Sequence, residues 1–106
     1  MSFQAELRTE PNAAVIVLSG ELDANAAPEF RNKIETAASQ DISKLVLDIK
    51  ELSYMASAGL RTLVFARQKM GADVEIIVVG AQEAVRETIE MTGFHHSVDM
   101  VDDYQG

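Results

Sequence analysis

The side chains able to do chemistry in this sequence are one serine at a break in pattern, a few carboxylates, one histidine pair and a short basic stripe. The serine is Ser57. It stands where the apolar run Leu45-Val46-Leu47-Asp48-Ile49 and the mixed segment Leu52-Ser53-Tyr54-Met55-Ala56 give way to Ser57-Ala58-Gly59-Leu60-Arg61-Thr62-Leu63, whose period turns helical. A serine just before a helix accepts hydrogen bonds from the first free backbone NH groups, as an N-cap does. The same NH groups and the positive end of the helix dipole favour an anion, so a phosphate on Ser57 Oγ would be well placed there. Cap and phosphate acceptor are compatible roles. Ala58 and Gly59 beside it either leave room for a partner's active site or reflect tight packing.

The carboxylates Asp23, Asp48, Glu51, Asp73 and the tail pair are scattered, and most read as solvated surface. Asp48 reads as a polar side chain that a strand turns toward a loop near its carboxyl end. Asp23 is either a turn acceptor ahead of a helix capped by Asn25 or a neighbour of Ser57. His95 and His96, adjacent on an extended segment, would point opposite ways, which is poor geometry for one metal ion. Ser57 lacks the glycine two positions earlier that a hydrolase elbow needs, and no histidine stands in such a signature. No glycine-rich loop ends in Lys-Ser or Lys-Thr. The expectation is therefore a protein that is not an enzyme and holds no cofactor or metal of its own. Arg61, Arg67 and Lys69 form a solvated face or meet an acidic partner. Met55, Met70, Met91 and Met100 read as core filler.

The elements that must position these groups follow in order. Phe3 to Thr9 alternates loosely and, through the turn Glu10-Pro11-Asn12, leads to a better buried strand over Ala13 to Ser19, ending at Gly20-Glu21-Leu22-Asp23. A helix capped by Asn25, with Pro28 in its first turn, buries Phe30, Ile34 and Ala37 and ends near Ser39-Gln40-Asp41. Leu45 to Ile49, apolar but for Asp48, suits a central strand buried on both faces. The helix from Ser57 closes at Gly71-Ala72-Asp73, and Val74 to Val79 is another buried strand. A third helix from about Gln82 to Thr92 turns Val85 and Ile89 inward and stops at Gly93, with Phe94 folding back over its end. Ser97 to Val101 adds a short last strand, and Asp102 to Gly106 a frayed tail. Strands alternating with helices imply right-handed crossovers. The fold class is α/β: one domain over residues 1–106, with a mixed, mostly parallel sheet and three to four helices largely on one face. Functional loops in such a sheet gather at the carboxyl ends of strands, where both Asp23 and Ser57 fall.

Bulk properties narrow the function further. With 9 basic and 17 acidic residues the net charge is −8, and no basic cluster tracks a phosphate backbone, so nucleic acid is not an expected direct partner. There is no cysteine, hence no disulfide framework or thiol nucleophile. The start Met1-Ser2-Phe3-Gln4-Ala5-Glu6 does not read as a signal peptide, and no apolar run reaches membrane-spanning length. The default is a cytoplasmic protein without a membrane segment.

Gly20-Glu21-Leu22-Asp23, the apolar strand Leu45 to Ile49, Leu52-Ser53-Tyr54-Met55-Ala56-Ser57-Ala58-Gly59-Leu60 and the late Gly93-Phe94 together resemble the STAS domain of bacterial anti-sigma factor antagonists. The resemblance implies partner switching. The unphosphorylated antagonist binds an anti-sigma factor that is also a serine kinase with a histidine-kinase-like ATPase fold, phosphorylation ends the binding, and a serine phosphatase restores it. By position, Ser57 resembles the phosphorylated serine and Asp23 the nearby acid that assists it. Ala56, Ala58, Gly59, Leu60 and Arg61 complete the implied partner-binding set, Gly59 and Leu60 resembling the start of the partner-contacting helix. Many members carry aspartate before the acceptor serine, where this chain has Ala56, and Ser or Thr after it, where it has Ala58. The alternative within the same family is a scaffold subunit without a phospho-switch, in lipid transport or a larger signalling assembly. A small hydrolase using Ser57 and Asp23 lacks a placed base.

Overall fold

The computed structural model describes residues 3–104. Strands β1 (Gln4–Glu10) and β2 (Ala13–Leu22) form the anticipated antiparallel hairpin, with Glu10 opposite Ala13. Asn12 in the turn takes φ 65°, a left-handed conformation that asparagine tolerates. Its carbonyl accepts the Ser43 NH at 3.0 Å, tying the hairpin turn to the entry of the next strand. Then follow α1 (Ala27–Ala38), β3 (Lys44–Met55), α2 (Ser57–Met70), β4 (Glu75–Val79), α3 (Glu83–Met91), a 3₁₀ turn at Phe94–His96 and β5 (Asp99–Val101).

The sheet order is β1-β2-β3-β4-β5, antiparallel at the first pairing and parallel at the other three. Each crossover steps one strand in the same direction. Right-handed crossovers of that kind place every helix on the same face. The packing agrees: Phe30, Ile34, Leu63, Ala66, Val85 and Ile89 from the three helices share one buried cluster with Ile16, Leu18, Leu45, Leu47, Ile76 and Val78 from the sheet. Val15, Val46, Ile77 and Val79 point to the other face, where Val17, Val101 and Tyr104 pack against them. Val46 is fully buried with no helix above it, which is why Leu45 to Leu47 reads as continuously apolar.

Several expectations need correction. Strand β3 does not stop near Ile49 but runs to Met55, because β2 also runs on to Leu22 and pairs with it. The register shifts between Val17 and Ser19 and again between Gly20 and Glu21, so Leu52 and Met55 both reach the core at odd spacing. Irregularities of this sort break the alternation by which a strand is recognised. Asp48 consequently lies mid-strand, paired with Lys50 at 3.7 Å, rather than at a carboxyl end. Met55 is buried and Met70 and Met100 pack on the core, but Met91 is 87% exposed and fills nothing. His95 and His96 sit in the 3₁₀ turn, where their rings stack with centroids 4.0 Å apart instead of pointing opposite ways. The tail is not frayed as far as Tyr104, which is half-buried on the second sheet face with Lys44 Nζ 5.7 Å from its ring centre. Gln105 and Gly106 lie outside the described residues, as do Met1 and Ser2. Gly93 ends α3 as anticipated: at φ 77° it takes the left-handed turn that returns Phe94 to the core.

Candidate functional site

The last register pair of β2 and β3 is Leu22 with Met55, and the Ala56 NH donates to the Leu22 carbonyl at 2.9 Å. Asp23 and Ser57 therefore leave the sheet from adjacent strand ends at its carboxyl edge. A single residue, Ala56, joins β3 to α2. Its backbone is extended, φ −81° and ψ 171°, the conformation of a helix N-cap, and its carbonyl accepts from Gly59 NH at 2.9 Å and Leu60 NH at 3.2 Å.

The cap reading of Ser57 is thereby overturned. Ser57 is the first helical residue, and the cap position belongs to an alanine whose methyl can accept nothing. The helix starts one residue earlier than a serine cap would require, so Ser57 falls at its first position rather than ahead of it. The Ser57 side chain is exposed and makes no hydrogen bond to another group among the described residues. The first turn of α2 contains no acid, so none of its own side chains compensates the positive end of its dipole.

At Gly59 the small size has a packing reason. A Cβ there would stand 2.8 Å from Leu22 Cγ and Cδ2 and 3.0 Å from Met55 Cγ, so its hydrogen lets α2 lie against the ends of β2 and β3. Packing sets that position. Leu60 is half-buried against the core. Thr62, which composition alone did not single out, is buried and donates its hydroxyl to the Ala58 carbonyl at 2.9 Å.

Asp23 takes the turn-acceptor role. Its Oδ1 receives Ala26 NH at 3.0 Å and its carbonyl receives Ala27 NH at 3.0 Å, preparing the entry to α1. The residue at the cap of α1 is Ala26, which makes no side-chain cap bond, so Asn25 is not the cap. Asp23 is half-buried and lines a shallow hollow with Glu21 and Glu29. On the basic stripe the three residues part ways. Arg67 turns back to donate to the carbonyls of Gly71, Val74 and Ser97, securing the end of α2. Arg61 and Lys69 are exposed, and neither lies within ion-pair distance of a carboxylate among the described residues.

Both histidines of the chain lie in the turn that enters β5 at its amino end, whereas Ser57 follows the carboxyl end of a parallel strand. No imidazole therefore flanks the hydroxyl to activate it as a nucleophile. No group of three or more His, Asp or Glu side chains among the described residues is arranged to hold a metal ion. No helix among them is long and apolar enough to cross a membrane. What the site offers is an exposed hydroxyl at a positive helix end, fixed by a well-packed junction, that can receive a group delivered from outside.

A family model described as "STAS domain" matches residues 4–105. Anti-sigma-F factor antagonist RsfB of Mycobacterium tuberculosis is 28% identical over 80 residues, which span 76% of this chain and 66% of that protein. The solved structure of the anti-sigma factor antagonist SpoIIAA in its unphosphorylated form superposes with a TM-score of 0.84 at 26% identity, covering 96% of this chain and 90% of that one. The Bacillus cell fate determinant SpoIIAA in the phosphorylated form gives 0.75 at 26% identity, covering 98% and 93%.

Proposed function

The chain belongs to the STAS domain family, and from that premise we propose that it is an anti-sigma factor antagonist gated by phosphorylation of Ser57. Unphosphorylated, it binds an anti-sigma factor that doubles as a serine kinase with a histidine-kinase-like ATPase fold, and phosphorylation releases it. A serine phosphatase resets the switch. The protein works in the cytoplasm as a binding module and catalyses nothing itself, so ATP and its metal belong to the kinase.

The observation that carries this reading is the state of Ser57: exposed, first in its helix and committed to no cap bond. A structural cap would have its oxygen occupied. A phosphate adds about −1.5 to −2 charge and three acceptor oxygens, and it would sit at a helix end whose first turn carries no acidic side chain. The same charge at a surface where a partner must pack repels and hydrates that surface without refolding the domain. The likeness to SpoIIAA structures in both forms supports a switch that keeps the fold.

The test is incubation with the kinase and ATP, followed by intact mass and peptide mapping, with Ser57→Ala as control. One phosphate on Ser57, absent from the variant, is the expected result. An active kinase that leaves Ser57 unmodified would overturn the switch and favour a scaffold role in lipid transport or a larger signalling assembly.

A further inference from the structure

We infer that the groove between α1 and α2 is the docking site for an acidic segment of the anti-sigma partner, gripped by Arg31 and Arg61. The inference rests on the antagonist reading above and names the contact that gives it specificity. The groove encloses about 540 Å³, with Ala27 and Arg31 on the α1 side and Ala58, Arg61, Thr62 and Phe65 on the α2 side. Its only charged walls are the two arginines, in a chain whose net charge is −8. Neither guanidinium lies within ion-pair distance of a carboxylate among the described residues. Arg31 lies over an aromatic face: its guanidinium carbon stands 4.1 Å from the centre of the Phe65 ring. A stacked guanidinium keeps its edge NH groups free for a carboxylate while giving up little further side-chain freedom on binding.

The floor between the arginines is apolar, because Ala27 and Ala58 offer methyls and the Thr62 hydroxyl is spent on the Ala58 carbonyl. Two open cations over such a floor suit a segment that carries carboxylates among aliphatic side chains. Ala58 adjoins Ser57, so the occupant passes beside the switch, and a phosphate there would face the occupant's own negative charge. The neighbouring hollow of Glu21, Asp23 and Glu29 has the opposite sign. A partner must therefore present acid to the groove and base to the hollow, which fixes its orientation.

Two arms test this. In the first, the intact protein is titrated with a blocked hexapeptide alternating glutamate and leucine while the arginine side-chain and Phe65 resonances are followed by NMR. Salt-sensitive shifts confined to the groove, absent with the lysine-leucine counterpart and abolished by Arg31→Glu with Arg61→Glu, are expected. Shifts elsewhere, or none, overturn the inference whatever the kinase does. In the second arm, the double reversal should weaken kinase binding about tenfold or more and flatten its dependence on salt. Arg31→Lys, which keeps the charge but loses the planar fork, should weaken it by less. Kinase binding unchanged by the double reversal would overturn the inference. A kinase that fails to bind the natural protein would instead sink the antagonist reading, leaving the peptide result to decide the groove. Concentration-dependent self-association that the double reversal abolishes would overturn the inference and assign the groove to a second copy of this chain.

Discussion

At the scale of single residues, the junction between β3 and α2 separates two roles that serine often combines. The cap position is Ala56 and the hydroxyl belongs to the next residue. Ser57→Ala should therefore change stability by less than about 0.5 kcal/mol, the usual range for an exposed substitution away from special features. Ala56→Asp should stabilise by about 1 kcal/mol, because the extended backbone already suits a cap and only the acceptor is missing. Urea denaturation of both variants checks this. A large loss for Ser57→Ala would show that the hydroxyl serves the fold after all. Ser57→Asp should gain about 0.3–1 kcal/mol from the helix dipole while losing partner affinity. That combination of stability kept and binding lost distinguishes a charge effect from unfolding.

At the scale of elements, α2 is held to the sheet where its backbone comes closest, at Gly59. Gly59→Ala would drive a methyl into Leu22 and Met55, both buried, and overpacking of this kind costs about 1–3 kcal/mol. Against that, alanine is the better helix former by about 1 kcal/mol in a helix interior. The clash should win, since Leu22 is fully buried and has little room to yield. A lowered urea midpoint together with weakened partner binding is the expected outcome, and a more stable variant would refute the packing account. Phe30, fully buried beneath α1, marks the other anchor of the helical layer: Phe30→Ala should cost about 3–5 kcal/mol, read from the same denaturation curves.

For the whole molecule, stability answers to pH through a pair of carboxylates on neighbouring strands. Glu75 on β4 titrates above its ordinary 4.5, first because of its side-chain hydrogen bond with Asp99 on β5, then through desolvation and the negative charge of Asp99, with Lys44 pulling the other way. A raised value means that the folded state holds this proton more firmly than the unfolded chain. Its contribution is thus present in full below pH 4.5 and is lost as pH rises through the folded value. Glu75→Gln should consequently melt higher than the natural protein at pH 7, with the advantage shrinking as pH falls through the folded value towards 4.5 and levelling off below it. Thermal melts of the two proteins across that range decide it. An advantage that grows in acid would show the sign to be wrong. The hollow and this pair both belong to a chain in which 17 acidic residues face 9 basic ones.

Read from the sequence alone, the order of elements, the central place of Leu45 to Ile49, the inward stripes of α1 and α3 and the stop at Gly93 were already determined. Each depends on a local pattern: continuous apolar residues, a period near 3.6, or a glycine needed for a left-handed turn. The strand–helix break at Ser57 was legible for the same reason. Only the tertiary structure decided that β3 continues to Met55, since that extension exists through pairing with β2 across two register shifts that no local alternation reveals. Tertiary packing likewise placed the cap at Ala56, one residue before Ser57, and left the Ser57 hydroxyl free. It also fixed which basic residues remain available, turning Arg67 onto backbone carbonyls while Arg31 came to rest on Phe65 from another helix. Contacts between elements far apart in the chain are set by packing, and spacing along the chain carries no record of them.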